Sequence, residues 1–285
     1  MKDTLVILGN GFDLDLGWKT SYRDIFTHQI MKNALFHFGG SAYANNLVDG
    51  EYWCDFEGYL RKCVEEVKES RIRELNHFWI LCRNNMFSFF KDQSTQSFIY
   101  QTKKDSCALH FLKHVSDNSV FSFNYTNPFK QLGFANVPIE FIHGQLENAF
   151  NGSEIKVGVD SGVSNPLVHD PSIEPLVKST GSDTKYRLFH AIKSAKNIII
   201  YGHSLGITDS DYFKPVFEAM INGSLKQKSL YIVTKDEKGL SGIEKNVTKY
   251  GIKGDQLLFS SNDFHFVYTI DGAETETFKE MVGKL

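Results

Sequence analysis

Thr4-Leu5-Val6-Ile7-Leu8 runs without a break into Gly9-Asn10-Gly11-Phe12-Asp13, an apolar segment delivered straight into a glycine turn. A short branched run bounded by turn chemistry reads as a buried strand of a parallel sheet. Two glycines two residues apart let the backbone turn tightly and leave no side chain to obstruct a diphosphate. The exposed N–H groups and dipole of a following helix would accept its charge. That helix is expected where Ser21-x-x-Asp24 makes a capping-box-like start and Tyr22, Ile25, Phe26 and Ile30 recur at helical spacing. Gly9, Asn10, Gly11, Phe12 and Asp13 are therefore the candidate diphosphate residues, and Gly11→Val is expected to abolish nucleotide binding while leaving the fold intact. The turn departs from the full dinucleotide fingerprint, because Leu14 stands in place of the third glycine and no second strand ending in an acid follows about 20 residues on.

The alternation of strand and helix continues down the chain. Ser119–Phe123, Ile139–Ile142, Ile155–Val159, Asn197–Tyr201 and Leu230–Val233 read as strands, with helices over Tyr186–Ser194, Ser210–Ile221 and Leu240–Tyr250. This rhythm predicts an α/β protein built on a Rossmann-like, doubly wound parallel sheet, as one domain over residues 1–285. Residues from about 50 to 115 depart from it, being long, aromatic and helical, with Ile72, Leu75, Trp79 and Phe90 along Arg71–Phe90. They are read as a helical insertion that caps the sheet. Asp160–Ser182 reads as a long loop, a form that often serves as a lid.

With 285 residues, 41% of them hydrophobic and 14% aromatic, the chain can bury a full core. A net charge of −3, a pI near 6.4 and no block of like charges give no electrostatic footprint for nucleic acid or an anionic membrane. A small-molecule ligand is the partner this leaves. Cys54, Cys63, Cys82 and Cys107 form no C-x-x-C pair, which argues against a zinc site or a disulfide framework and for buried thiols in a reducing compartment. Asp13 and Asp15 break the opening apolar run before it reaches the roughly 7 to 15 residues of a signal peptide. No run approaches the apolar length of a membrane span, about 18 residues. The expected location is cytoplasmic.

In an open α/β sheet the ligand sits past the carboxyl ends of the strands, where the strand order reverses. The residues there are Gly9–Asp13, Asn124-Tyr125-Thr126-Asn127, His143-Gly144, Asp160 and Gly202-His203-Ser204-Leu205-Gly206. His143, with an ordinary pKa of about 6.5, suits a general base, and the Asn124 amide can orient a hydroxyl or water without ionising. Both also have plain structural readings: a loop hydrogen bond for His143, an Asx turn ahead of Pro128 for Asn124. Asp209 and Asp211 stand where capping the next helix is their ordinary job. Asp55 and Glu57 point to neighbouring sides of a helix and fit structural or catalytic use equally. No carboxylate cluster has metal-ligand spacing, so neither a metal site nor nuclease activity is expected.

Five motifs together carry a resemblance. Leu8-Gly9-Asn10-Gly11-Phe12-Asp13-Leu14 with Thr20-Ser21-Tyr22, Trp53-x-Asp55-Phe56-Glu57-x-x-Leu60, Phe123-Asn124-Tyr125-Thr126-Asn127, Ile142-His143-Gly144 and Gly202-His203-Ser204-Leu205 resemble the bacteriophage abortive infection AbiH family over most of the chain. That family is similar, more distantly, to the sirtuin-like domains of bacterial anti-phage systems, which consume NAD. The resemblance implies that Gly9 and Gly11 hold the diphosphate, Asn124 and His143 are catalytic, and Gly202 and Ser204 close over the nucleotide, with His203 between them as a further nucleotide-binding candidate and Asp209 and Asp211 within reach of the ribose hydroxyls. It implies hydrolysis of NAD to nicotinamide and ADP-ribose in anti-phage defence, with NAD as substrate, no metal, and a homo-oligomer or a phage-derived trigger as further partner. Asn10 stands where the sirtuin-type loop has alanine, and Thr126 where it has aspartate. Zinc-ribbon cysteines are missing, which turns the expectation from deacetylation to hydrolysis.

Two rival readings stay open. The same site could hold a nucleotide without turnover, as a sensor or effector module. Alternatively, Gly202-x-Ser204-x-Gly206 satisfies the nucleophile-elbow pattern of an α/β-hydrolase esterase, and Asp263 and His265 follow in the right chain order.

Overall fold

A computed structural model describes residues 3–27, 56–92, 95–116, 118–134, 137–145, 158, 159, 163–171, 176, 177, 182–258 and 260–285. Thr4–Leu8 is strand β1, and all five of its residues are buried. It pairs in parallel with β2 (Ser119–Ser122) on one side and β4 (Asn197–Tyr201) on the other. Outward from these, β3 (Ile139–Phe141) joins β2, while β5 (Ser229–Thr234) and β6 (Asp263–Tyr268) extend from β4. The described strands thus form one all-parallel sheet in the order β3-β2-β1-β4-β5-β6.

The central strands read as unbroken apolar runs because helices cover both faces. In chain order the described helices are α1 (Asn10–Asp15), α2 (Tyr22–Thr27), α3 (Phe56–Glu66), α4 (Ile72–Asp92), α5 (Thr95–Gln101), α6 (Cys107–Leu112), α7 (Pro128–Gln131), α8 (Ser182–Ser194), α9 (Ser210–Ile221), α10 (Glu237–Lys249), α11 (Gly254–Leu258) and α12 (Glu276–Val282). Leu5, Ile7, Ile198, Ile200, Leu230 and Ile232 face Leu188 and Ile192 of α8 and Phe213, Val216 and Phe217 of α9. Their sequence neighbours Val6, Leu8, Ile199, Tyr201, Tyr231 and Val233 face Phe12 of α1, Phe111 of α6 and Phe278 of α12. Alternate residues of one strand serve opposite layers, as the pleat requires.

A third apolar cluster contains no residue of the six strands. Ile25 and Phe26 of α2 pack there with Phe56, Leu60 and Val64 of α3, Leu75 and Phe78 of α4, and Val159, Val163 and Leu176. By contrast, Phe98 of α5 and Cys107, Ala108 and Phe111 of α6 join the core beneath the sheet. Among the described residues between about 50 and 115, α3 and α4 thus pack in a cluster apart from the strands, and α5 and α6 pack with the sheet. Cys63, Cys82 and Cys107 are buried free thiols, and burial pushes Cys63 and Cys107 up to about 12. Cys54 lies outside the described residues. No described helix is long and apolar enough to cross a membrane.

Several expected bounds shift, for readable reasons. α8 and α10 begin earlier than expected, and α10 does so because the Asp236 side chain accepts from Gly239 N at 2.9 Å as a helix cap. The Ser21–Asp24 box forms, with Asp24 N donating to Ser21 Oγ at 3.1 Å and Ser21 N to Asp24 Oδ2 at 3.2 Å. A helix does not wait for it, however, since α1 starts at Asn10 directly after β1. The expected strand Ile155–Val159 falls largely outside the described residues, as do Ile30 and Asp160. Val159 itself makes one parallel bridge to Val177. β6 was not expected as a strand at all, although Phe264 and Phe266 alternate with His265 and Val267 as a strand should.

Candidate functional site

β1 and β4 are neighbours in the sheet, and the chain leaves them toward opposite halves of it, so the loops beyond them part and open a crevice. A cleft of about 820 Å³ lies there, within the size range of small-molecule sites. One arm is lined by Gly9, Asn10, Asp13, Asn124, Thr126 and His143, and the other by Ser204, Thr234, Lys235, Asn246 and Ile270.

The floor is made where two turns meet backbone to backbone. Gly9 N donates to Tyr201 O at 2.9 Å, and Gly11 N to Gly202 O at 2.8 Å. A Cβ on Gly9 would lie 2.5 Å from His203 Cα, and one on Gly11 would lie 2.8 Å from Gly202 Cα. Gly202 has φ +67°, and its Cβ would lie 2.3 Å from Phe12 N. These glycines therefore let the β1 turn close on the β4 exit. The N–H groups of Gly9, Gly11 and Phe12 are donated to the carbonyls of Tyr201, Gly202 and Gly9, and Gly9 and Gly11 also line the cleft. The contact corrects the expectation that Gly11→Val leaves the fold intact, since valine would strike the Gly202 backbone. Phe12, expected beside the ligand, has a fully buried ring whose centroid is 4.8 Å from that of Tyr201.

Asp13, just beyond this turn, organises one arm. Asn124 Nδ2 donates to Gly9 O and to Asp13 Oδ1, both at 3.0 Å. A carbonyl oxygen can only accept, so the orientation of this amide is fixed. Asn124 Oδ1 is buried with no hydrogen-bond partner among the described residues, and the residue lines the cleft. Toward a ligand, Asn124 is therefore an acceptor. Thr126 Oγ1 donates to Asp13 Oδ2 at 2.5 Å. Burial pushes the Asp13 carboxyl up to about 7, against the lowering effect of hydrogen bonds from Thr126, Asn124 and Thr20. Asn10 Oδ1 is taken by Thr20 Oγ1 at 2.8 Å.

His143 follows β3 and turns inward where Gly144 takes φ +85°. Its Nε2 lies 3.1 Å from Asp209 Oδ1. The other carboxylate oxygen, Oδ2, is 3.5 Å from His203 Nε2, and His203 Nδ1 accepts from Leu205 N at 2.9 Å. Phe123 stands against both imidazoles, with centroid separations of 5.3 Å to His143 and 4.4 Å to His203. Leu205 carries φ +50°, a left-handed backbone that costs about 1 kcal/mol for a residue with a Cβ. It is buried, and Tyr250 Oη donates to its carbonyl at 2.6 Å, which holds the turn and with it His203. Among the described residues no three His, Cys, Asp or Glu groups are placed to hold a metal ion, and Asp209 joins the two histidines by a hydrogen-bonding contact to His143 and a longer ion-pair contact to His203.

Asp209 thus has a role the sequence did not disclose. It occupies the cap position of α9 but makes no side-chain cap hydrogen bond, and on the cleft its carboxylate contacts His143 and His203. Asp211 stands apart, 3.7 Å from Lys185 Nζ, and is not among the lining residues. Ser204 is exposed at the cleft wall, where its carbonyl accepts from Asn246 Nδ2 at 2.9 Å. Glu57, at the start of α3, is buried on the cleft and accepts from Thr208 Oγ1 at 3.1 Å, tying the separate helical cluster to the residue beside Asp209. Asp55 lies outside the described residues.

The esterase constellation does not assemble. Ser204 sits in a loop, and a short 3-10 turn over Ile207–Asp209 separates it from α9, so no strand drives directly into a helix at the serine. Asp263 is level with Asn197, at the opposite end of the strands from Ser204, and His265 is level with Ile199 at mid-strand. His265 stacks on Tyr231 instead, with centroids 4.5 Å apart.

No curated protein matches the chain. Among protein-family models, the one described as bacteriophage abortive infection AbiH matches residues 5–227. That span includes the β1 turn, Asn124, His143, the Gly202–Gly206 loop and Asp209, and it covers most of the 285 residues. The chain therefore belongs to the bacteriophage abortive infection AbiH family.

Proposed function

We propose that the cleft binds NAD as substrate and hydrolyses it to nicotinamide and ADP-ribose, and that this reaction serves the abortive infection for which the family is named. The observation that carries the reading is the meeting of His143 and Asn124 on one cleft. The first is hydrogen-bonded to a carboxylate, and the second has an uncommitted acceptor. The strand order supports a Rossmann-like, sirtuin-like assignment, because sheets of this order take dinucleotides across the crevice between β1 and β4. Helices α3 and α4 would form the cap, with Glu57 as its contact to the site.

The charge distribution fits the two ends of such a substrate. Glu57 and Asp209 line the cleft, and positive charge develops on the ribose as the nicotinamide–ribose bond breaks, as in glycoside cleavage. On the other arm, Lys235 and the Ser204 hydroxyl suit the diphosphate. In the reaction, the electron pair of the C–N bond leaves with nicotinamide, which needs no proton. A water oxygen bonds to the anomeric carbon, His143 takes one of its protons, and Asn124 Oδ1 accepts a hydrogen bond from the other. Thr126, which stands where sirtuin-like domains have aspartate, holds the Asp13 carboxyl, so an acid is brought to that arm from α1 instead.

Incubating the protein with NAD and separating the products by chromatography tests this. Nicotinamide and ADP-ribose should appear in equal amounts. NAD returned intact would refute turnover, and NAD bound but uncleaved in calorimetry would favour the nucleotide-binding module.

A further inference from the structure

Two histidines border the same carboxylate, and their hydrogen bonds distinguish them. His203 Nδ1 accepts from Leu205 N, so its lone pair is committed there and its Nε2 carries the proton toward Asp209 Oδ2. A carboxylate has only acceptors, so His143 likewise presents Nε2–H to Asp209 Oδ1, and its Nδ1 keeps the lone pair. The geometry points to Asp209 as a positioning residue that holds His143 in the Nε2–H tautomer, so that Nδ1 of His143 receives the substrate proton, while His203 is locked in a form that cannot act as base. Asp209 and His203 would then stabilise the His143 imidazolium without taking its proton. The helix-start aspartate, which would otherwise cap α9, is diverted to this task.

The catalytic half of this assignment rests on the proposed NAD hydrolysis, and the tautomer does not. Asparagine at 209 offers one acceptor and one donor, so one histidine must turn its lone pair toward the amide N–H and move its proton to the other ring nitrogen. For His143 that shift removes the base. Nitrogen-15 NMR of the full chain labelled at its histidines reads the tautomer directly, with the His143 resonances assigned by their loss in His143→Gln. The parent should show protonated Nε2 and unprotonated Nδ1 at His143. Asp209→Asn should show mixed or reversed tautomers and lose at least about 10²-fold in kcat, with KM changed by less than about threefold, the pattern of a wrongly protonated imidazole. Asp209→Glu, which keeps a carboxylate, should retain the parent tautomer.

His143 found as Nδ1–H in the parent would overturn the assignment, and so would a folded Asp209→Asn protein with parental tautomer and kcat. The parent spectrum decides the first point even where Asp209→Asn fails to fold. A parent with the expected tautomer that leaves NAD intact would uphold the geometry and refute the hydrolysis.

Discussion

Gly202→Ala probes the contact on which the site is built. The added methyl would lie 2.3 Å from Phe12 N and 2.5 Å from Gly11 C, both backbone atoms that cannot swing aside. Gly202 also has φ +67°, where alanine costs roughly 1–2 kcal/mol. Parting the two turns enough to admit the methyl would weaken the hydrogen bonds Gly9 N to Tyr201 O and Gly11 N to Gly202 O, worth about 1 kcal/mol each. The total is about 3 kcal/mol, a large share of the roughly 5–15 kcal/mol that holds a domain folded. Urea denaturation should show that loss at an unchanged slope, and thermal melting a midpoint lowered by roughly 6–12 °C. The same separation displaces Gly9 O, one of the two acceptors that orient Asn124, so turnover should fall in whatever fraction remains folded. A loss below about 1 kcal/mol, with unchanged activity, would refute the view that the glycines serve backbone contact.

Three other outcomes follow. Asn124→Ala should lower turnover about 10²-fold or more, as expected where a water or hydroxyl loses its orienting acceptor, and parental kcat in a folded variant would remove Asn124 from the reaction. Burial keeps the Asp13 proton up to about pH 7 in the folded chain, against 3.8 for an ordinary carboxyl, so the folded state binds more protons than the unfolded one between those values. That contribution makes stability fall as pH rises from about 4 to about 7; Asp13→Asn abolishes it, so the variant's deficit in urea midpoint should shrink over that window, and a constant deficit would contradict the assignment. Ser204→Ala should weaken NAD binding by about 1 kcal/mol, with turnover retained and no adduct from a serine-directed phosphonate, whereas labelling of Ser204 would restore the esterase reading.

The parts of this fold that the sequence discloses are those set by local pattern. Thr4–Leu8, Asn197–Tyr201 and Ser210–Ile221 are identified by runs of branched residues or by an apolar stripe, and the structure places elements at those bounds. Asn124 and His143 were findable as cleft residues because each lies just past a strand, and strand ends are where such sheets open their crevice. What stayed hidden depends on contacts between distant segments. The obstacle at Gly9 is His203, and the partner of Asp209 is His143, separations that no local window spans. Local chemistry even misdirected the reading of Asp209, because an aspartate before a helix is most simply a cap. β6 is a different case: its alternation was visible, but Asp263 and His265 drew attention as a catalytic pair.

The most direct test of the account is a crystal structure of His143→Ala with NAD bound, the variant being chosen to leave the nicotinamide–ribose bond uncut. The account predicts the nicotinamide ribose against Asn124 Oδ1 on the arm that carries Asp13, with the diphosphate beside Ser204 and Lys235 across the crevice between β1 and β4. Electron density that places the nucleotide elsewhere, or with its diphosphate against Asp13 and its nicotinamide beside Lys235, would contradict it.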